Sequence, residues 1–577
     1  MRRSMFAPAA VEVERRDGGL VYLRSPQPLG PTARCLTEWL VSWGARVPDR
    51  PLLAERDGDR WRTVTYGQAL DAARRLAQAL LDLGLSAGRP LAILSDNSVD
   101  HGLLMLGALH VGVPVVPVSP AYSLLSSDHA KLRHIVALVE PGLVWTSDPE
   151  AFAPALAAVG APRPPTVAEL LDSTPGPAVD RAHAAVGPGD VAKVLFTSGS
   201  TGAPKGVINT HGMLTSNQQM LAQGWPFLER RPPVVVDWLP WNHTFGGNHN
   251  FNLVLRNGGT LYIDGGRPVP GRIEVTARNL TDVSPTLYFN VPRGFDLLLP
   301  CLERDASLRR RFFHDLDAVF YAAAALPDNL WRRLAAVAAA ETGGRLAMLS
   351  GWGSTETSPL ATQVHFPIER ADVIGLPVAG ATLKLVPAGD KLEVRVRGPH
   401  VTPGYFRQPH LTAEAFDDEG FYRIGDAVRF ADPADPARGL VFDGRVAEDF
   451  KLSTGTWVSA GTVRVRLVAA ADPLVQDAVV TGHDRDEVGA LVFLSAAARA
   501  LGEAELHERL AAVLRALAAE GAGSAATPGR LLVLEDPPSI DGGEITDKGY
   551  INQRAVRARR QALVDRLYDD GPGVIRP

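Results

Sequence analysis

Apolar runs of strand length alternate with helical apolar patterns through most of this chain, and that alternation confines it to layered α/β architectures. Val234 to Leu239, VVVDWL, reads as a buried strand, whereas Leu392, Val394 and Val396 alternate with Glu393, Arg395 and Arg397 as in a half-exposed one. Leu501, Leu506, Leu510, Val513, Leu514 and Leu517 share one helical face near the end, the spacing of a helix packed on a core. The most apolar stretch, Leu103 to Val118, is broken by His110, Pro114 and Pro117. It is too short and interrupted for a membrane span and reads as a buried helix running into a buried strand. With 577 residues, 46% of them hydrophobic, there is enough apolar material for more than one core.

Charge and cysteine content exclude several function classes. Lysine and arginine number 59 against 64 aspartates and glutamates, a formal net charge of -5. No global basic field would recruit nucleic acid or an anionic membrane, so any polyanion must be held locally. Cys35 and Cys301 are the only cysteines, which excludes a disulfide framework and fits a reducing cytoplasm. The N-terminal arginines have no apolar run behind them, so the start does not read as a secretory signal. No internal repeat is visible. The stretch ADPADPARGLVFDGR, rich in prolines and small residues before Gly444 and Arg445, is the clearest boundary between a large region and a small one.

The chemistry concentrates first in VLFTSGSTGAPKG, residues 194 to 206. Apolar strand residues lead into Thr197, Ser198, Gly199, Ser200, Thr201 and Gly202, then Pro204, Lys205 and Gly206. Glycines let a backbone approach an anion closely with its N–H groups turned inward, hydroxyls add donors, and Lys205 adds charge. A kinase-type phosphate loop would need a serine or threonine directly after the lysine and a glycine directly before it. Pro204 and Gly206 stand there instead.

This loop resembles the signature of the adenylate-forming superfamily, which includes acyl-CoA synthetases, luciferase and peptide-synthetase adenylation domains. Further family-like segments follow in the family's order. SGWGSTETSP, residues 350 to 359, is similar to the segment in which Trp352 and Gly353 would meet the adenine, Thr355 the phosphate and Glu356 a Mg²⁺ ion, a cation that favours carboxylate oxygen. FYAAAALP, residues 320 to 327, stands where the family shows a glycine-rich adenine loop; alanine there requires negative φ. Asp426 resembles the aspartate that accepts both ribose hydroxyls, a pairing a carboxylate suits. Arg445 resembles the arginine beside the hinge that also reaches the ribose. In this chain Ala447 takes the place of the usual acidic residue two positions later. LPWNHTFGGNHN, residues 239 to 250, resembles the region lining the acyl pocket, with His243 shaping the carboxylate site; His243 and His249 lack the acidic or cysteine partners of a zinc site. Lys548, in EITDKGYINQRA, resembles the adenylation lysine.

What the resemblance implies is a large N-terminal α/β domain of layered sheets and helices over residues 1–443, a hinge at 444–449, and a smaller mobile α+β domain over 450–577 that carries Lys548. The implied activity is ATP-dependent acid:CoA ligation, with ATP, Mg²⁺ and coenzyme A required. The combined wording of SGWGSTETSP, GRVAEDFKLSTGTWVS and EITDKGYINQRA looks most like the feruloyl-CoA synthetase branch, which implies ferulate, coumarate or caffeate as the acid. A fatty or other aryl acid is the alternative within the class. Outside it stand an adenylation module that loads a carrier protein, for which no serine-bearing segment is evident after Lys548, and an inactive nucleotide binder.

Overall fold

Strands Leu91–Leu94 and Val115–Val118 are buried on both faces, the condition parallel pairing imposes. They sit inside a five-stranded sheet ordered Leu143–Thr146, Leu91–Leu94, Val115–Val118, Val191–Thr197 and Lys205–Thr210, whose last pair alone is antiparallel. The computed structural model describes the chain apart from residues 1–4, 198–202, 270, 325, 345, 447, 496–497, 522, 547–548 and 550. Helix Val99–His110, capped by the Ser98 side chain, precedes Val115–Val118, so the apolar stretch forms the buried helix and strand expected of it.

A second, eleven-stranded sheet begins as parallel strands Leu287–Asn290, Ala318–Tyr321 and Ala347–Gly353. It continues antiparallel through Leu360–Gln363, Val373–Pro377, Leu440–Arg445, Tyr422–Phe430 and Lys391–Arg397. Val394 and Val396 point inward from the last of these, as their alternation requires. In a third sheet the strand beginning at Val234 ends at Asp237, two residues short of the sequence reading. The Asp237 carboxylate accepts the Leu239 N–H and Pro240 follows, so the ladder cannot extend.

The small C-terminal domain has its own core. Strands Val475–Thr481, Gly489–Leu494, Arg530–Leu534 and Val574–Ile575 form its sheet. Leu506, Leu510, Leu514 and Leu517 of helix Glu503–Ala519 pack on Ala478, Val492 and Leu531, while Leu501 precedes the helix. Core residues of the large domain run to Val441 and a separate cluster begins at Phe450. Polar contacts join the parts: Asp541 accepts hydrogen bonds from the Ser126 and Ser127 side chains at 2.6 and 2.8 Å, Lys131 donates to the Ile540 carbonyl, and Lys391 pairs with Asp449 and lies 3.4 Å from the Ser459 hydroxyl. Among the described residues no helix is long and apolar enough to cross a membrane.

Candidate active site

The site is assembled at the junction of the first two sheets. Strand Val191–Thr197 ends at the serine- and glycine-rich loop, and Lys205 opens the return strand directly opposite Thr197. Ser198 to Gly202 lie outside the described residues, as do Ala447 and Lys548. From the return strand, Asn209 Nδ2 donates to the Thr355 carbonyl at 3.1 Å, and the Thr402 hydroxyl donates to the Ile208 carbonyl at 2.7 Å. The Thr402 N–H in turn donates to the Glu356 carbonyl at 2.8 Å. These bonds fasten the short 3₁₀ turn Thr355–Thr357 beside the return strand that Lys205 opens. Gly353 precedes that turn at a φ of 157°, where a Cβ would lie 1.8 Å from the Pro359 carbonyl oxygen, so only glycine fits.

Tyr405 is the joint between the predicted groups. Its hydroxyl donates to Glu356 Oε1 at 3.1 Å and lies 3.4 Å from the Tyr422 hydroxyl, while Lys205 Nζ stands 5.2 Å from its ring centroid. Burial holds both phenols well above their ordinary pKa, so Tyr405 remains a neutral donor. Tyr422 opens the strand that carries Asp426 four residues on. There Trp352 Nε1 donates to Asp426 Oδ2 at 2.9 Å, and Arg445, opposite Asp426 in the next strand, brings Nε within 3.2 Å of Oδ1. Asp426 Oδ1 is buried without a hydrogen-bond partner among the described residues. Burial raises the Asp426 pKa, against the lowering effects of Arg445 and the Trp352 hydrogen bond. Lys205, Trp352, Thr355, Glu356, Asp426 and Arg445 thus share one neighbourhood, although 240 positions separate the first from the last.

The segment around His243 joins this cluster through buried amides. Asn248 Nδ2 donates to Thr244 Oγ1 at 3.1 Å and to Asn209 Oδ1 at 2.8 Å, which connects it to the Thr355 carbonyl. Residues Phe245–Asn250 wind as a π-helix whose carbonyls are taken by side chains. Lys193 Nζ, fully buried, donates to Gly247 O at 2.8 Å, and Gln218 Nε2 to Asn248 O at 3.0 Å. Desolvation brings the Lys193 amine down to a pKa of about 7. Among the described residues no group of three or more histidine, cysteine, aspartate or glutamate side chains could hold a metal.

Two features depart from the sequence reading or escaped it. Alanine in the FYAAAALP loop is free of strain only at negative φ, but Ala323 sits at a φ of 74°, the left-handed conformation that glycine adopts freely. The loop therefore keeps a glycine-type backbone under an alanine side chain. Tyr405 and Asn209 went unread because one tyrosine in GYFRQP and one asparagine in a strand carry no periodic signal. GYFRQP opens the run of residues 404–428 that resembles the family's ribose-binding segment and contains Asp426, and that is the clue the sequence carries.

A family model described as AMP-binding enzyme matches residues 40–406, and one described as AMP-binding enzyme C-terminal domain matches residues 450–571. The chain is 26% identical to a carboxylic acid reductase of Mycobacterium tuberculosis over 74% of its own length and 39% of that protein. It is likewise 26% identical to the long-chain fatty acid CoA ligase FadD15 of Mycobacterium bovis, over 75% of this chain and 78% of that one. It spans less than half the length of the first curated relatives it matches. Among solved structures, o-succinylbenzoate coenzyme A synthetase of Bacillus subtilis, in complex with AMP, shares the fold with a TM-score of 0.69 at 18% identity, covering 89% of this chain and 97% of that one.

Proposed function

Because the chain belongs to the AMP-binding enzyme family, we propose that it is an ATP-dependent acid:CoA ligase acting on ferulate or a related hydroxycinnamate. The observation that carries the reading is Asp426 Oδ1, a buried acceptor lacking a hydrogen bond, in the same cluster as Lys205 and Glu356. A ribose diol supplies the missing donor, and the loop before Lys205 supplies the phosphate cradle.

In the first half-reaction a carboxylate oxygen of the acid attacks the α-phosphorus of ATP, and the bond to pyrophosphate breaks. Negative charge accumulates there, so cations and fixed donors must stand ready. Lys205, the backbone of residues 198–202 and Lys548 are the proposed counter-charges, and Thr355 the phosphate contact. Trp352 and Gly353 would line the adenine, with Asp426 and Arg445 on the ribose and His243 at the carboxylate. Glu356 fits Mg²⁺: it is a buried carboxylate with one oxygen taken by a neutral phenol and no cation within ion-pair distance among the described residues. When bound, the ion would share the phosphate charge. In the second half-reaction the thiol of coenzyme A attacks the acyl carbon and AMP leaves. Residues 444–449 are the proposed hinge on which the domain over 450–577 exchanges Lys548 for a thiol channel.

The second reading, delivery of the acyl group to a carrier protein, is favoured by the peptide synthetase and reductase relatives. Both readings are tested by pyrophosphate release from ATP, Mg²⁺ and a panel of acids, with and without coenzyme A. Turnover that needs coenzyme A and is fastest with ferulate is expected. Preference for octanoate would move the assignment to fatty acids, and ATP binding without turnover on any acid would end it. Lys548→Ala should lose acyl-adenylate formation by about 10²–10³-fold, the effect of removing one transition-state donor. Thioester formation from supplied acyl-adenylate should change far less; equal loss in both half-reactions removes Lys548 from the role.

A further inference from the structure

His249, six residues beyond His243 on the π-helix, is fully buried inside a box of aromatic rings. Phe320 stacks on it at a centroid distance of 5.1 Å, and Phe289 and Phe245 meet it edge-on at 5.4 and 5.7 Å. Trp225 closes the box at 6.4 Å, but its indole N–H is committed to the Val364 carbonyl. Among the described residues His249 Nε2 has no hydrogen-bond partner.

The tautomer follows from a relay behind the ring. Asp237 accepts from the Leu239 N–H on one oxygen and from Asn250 Nδ2, at 2.8 Å, on the other. Asn250 therefore turns its carbonyl oxygen toward His249 Nδ1, 2.8 Å away, and that nitrogen must carry the proton. Nε2 is left with its lone pair, an acceptor only. Burial holds the ring's pKa down to about 4, so it stays neutral at physiological pH. Leaving a buried acceptor unpaired is costly, and a donor on a ligand would recover that cost. His101, His110, His211 and His400 also hold unpartnered nitrogens, but none of them is ringed by aromatic side chains in this way.

A donor that can reach Nε2 must arrive on a flat apolar body able to lie among phenyl rings. His243 stands just before the π-helix, its carbonyl accepting the Gly247 N–H at 2.8 Å, so at a rise of about 1.5 Å per residue His249 lies roughly 9 Å further along the axis, a span comparable to a cinnamate skeleton from carboxylate to ring hydroxyl. We propose that His249 Nε2 accepts the ring hydroxyl of the acid, so that His249 selects hydroxylated aromatic acids over those without the hydroxyl, with Asn250 and Asp237 as the positioning residues that fix its tautomer. This rests on the hydroxycinnamate reading above and adds the residue that enforces it.

The test compares kcat/KM for 4-hydroxycinnamate, cinnamate and 4-fluorocinnamate in the full-length enzyme. A site built to pair with a hydroxyl rejects the analogue lacking it far more strongly than a site that only fills space. The wild-type enzyme should favour the hydroxylated acid by about 10²-fold or more over both analogues. His249→Leu should bring the three acids close to parity with KM for ATP unchanged, and His249→Gln, which keeps an acceptor, should retain most of the preference. Near-equal use of the three acids by the wild-type enzyme, a result that needs no variant to fold, would overturn the inference and leave the ligase assignment standing. So would an intact preference in His249→Leu. Turnover of octanoate with none of the three aromatic acids would overturn the hydroxycinnamate reading itself, and this inference with it.

Discussion

Asp426→Asn separates ribose recognition from stability. Asp426 Oδ2 holds the Trp352 indole N–H at 2.9 Å, and Oδ1 is buried 3.2 Å from Arg445 Nε, without a hydrogen-bond partner among the described residues. Asparagine keeps an acceptor for Trp352 but loses the charge and puts a donor where a ribose hydroxyl should donate. A hydrogen bond to a charged group contributes about 1.5–3 kcal/mol. At about 1.4 kcal/mol per tenfold, ATP should bind the variant about 10- to 150-fold more weakly. Stability should move the other way. Burial raises the folded-state pKa of Asp426 above its unfolded value. A carboxyl shifted in that direction contributes stability below its unfolded pKa and loses it as pH rises through the folded one. At neutral pH the buried charge is therefore a cost, and removing it should leave Tm of the ligand-free enzyme unchanged or higher. Calorimetric ATP binding and thermal unfolding on the same preparations check both halves. A 2′-deoxy ATP analogue closes the cycle: it should lose affinity for the wild-type enzyme but much less for the variant. Unchanged ATP affinity in a folded Asp426→Asn protein, or an equal penalty for the deoxy analogue in both proteins, would refute the assignment.

Two further outcomes follow from buried groups. His101, His211 and His249 are held by burial to pKa values of about 4, and His110 and His400 to about 3, so each adds stability above its unfolded pKa near 6.5 and loses it as pH falls toward 4 and 3. Asp237, pushed up to about 7 by burial, works in the opposite direction across the same window. These six groups alone, five taking up a proton on unfolding and one releasing it, give a slope approaching about 5 kcal/mol per pH unit near pH 5. Urea midpoints should therefore fall steeply between pH 6 and pH 4.5, and a flat profile would show that these imidazoles reach water in the folded chain. At the alanine loop, a left-handed backbone costs a non-glycine residue about 1–2 kcal/mol, partly offset by the chain entropy glycine gains on unfolding. Ala323→Gly should accordingly stabilise the enzyme by up to about 1 kcal/mol in denaturant unfolding, whereas a loss of that size would contradict the positive φ.

The sequence alone determined the α/β layering, because strand and helix periods are local properties that a run of ten residues expresses without help from the rest of the chain. It also announced Lys205, Glu356 and Asp426, each inside a short segment whose wording resembles a known family. Their convergence belongs to tertiary structure: register sets Lys205 opposite Thr197 and Asp426 opposite Arg445, and no local pattern encodes which strands become neighbours. The same holds for Tyr405 and Asn209, whose partners Glu356 and Thr355 lie far along the chain, and for the rings of Phe289 and Phe320 around His249, although the proton on its Nδ1 is set by the adjacent Asn250. Ala323 is the sharpest instance, since its side chain argued for an ordinary backbone and the surrounding fold imposed the left-handed one. Local chemistry names the groups; packing decides which of them are buried without a hydrogen-bond partner, as Asp426 Oδ1 and His249 Nε2 are among the described residues.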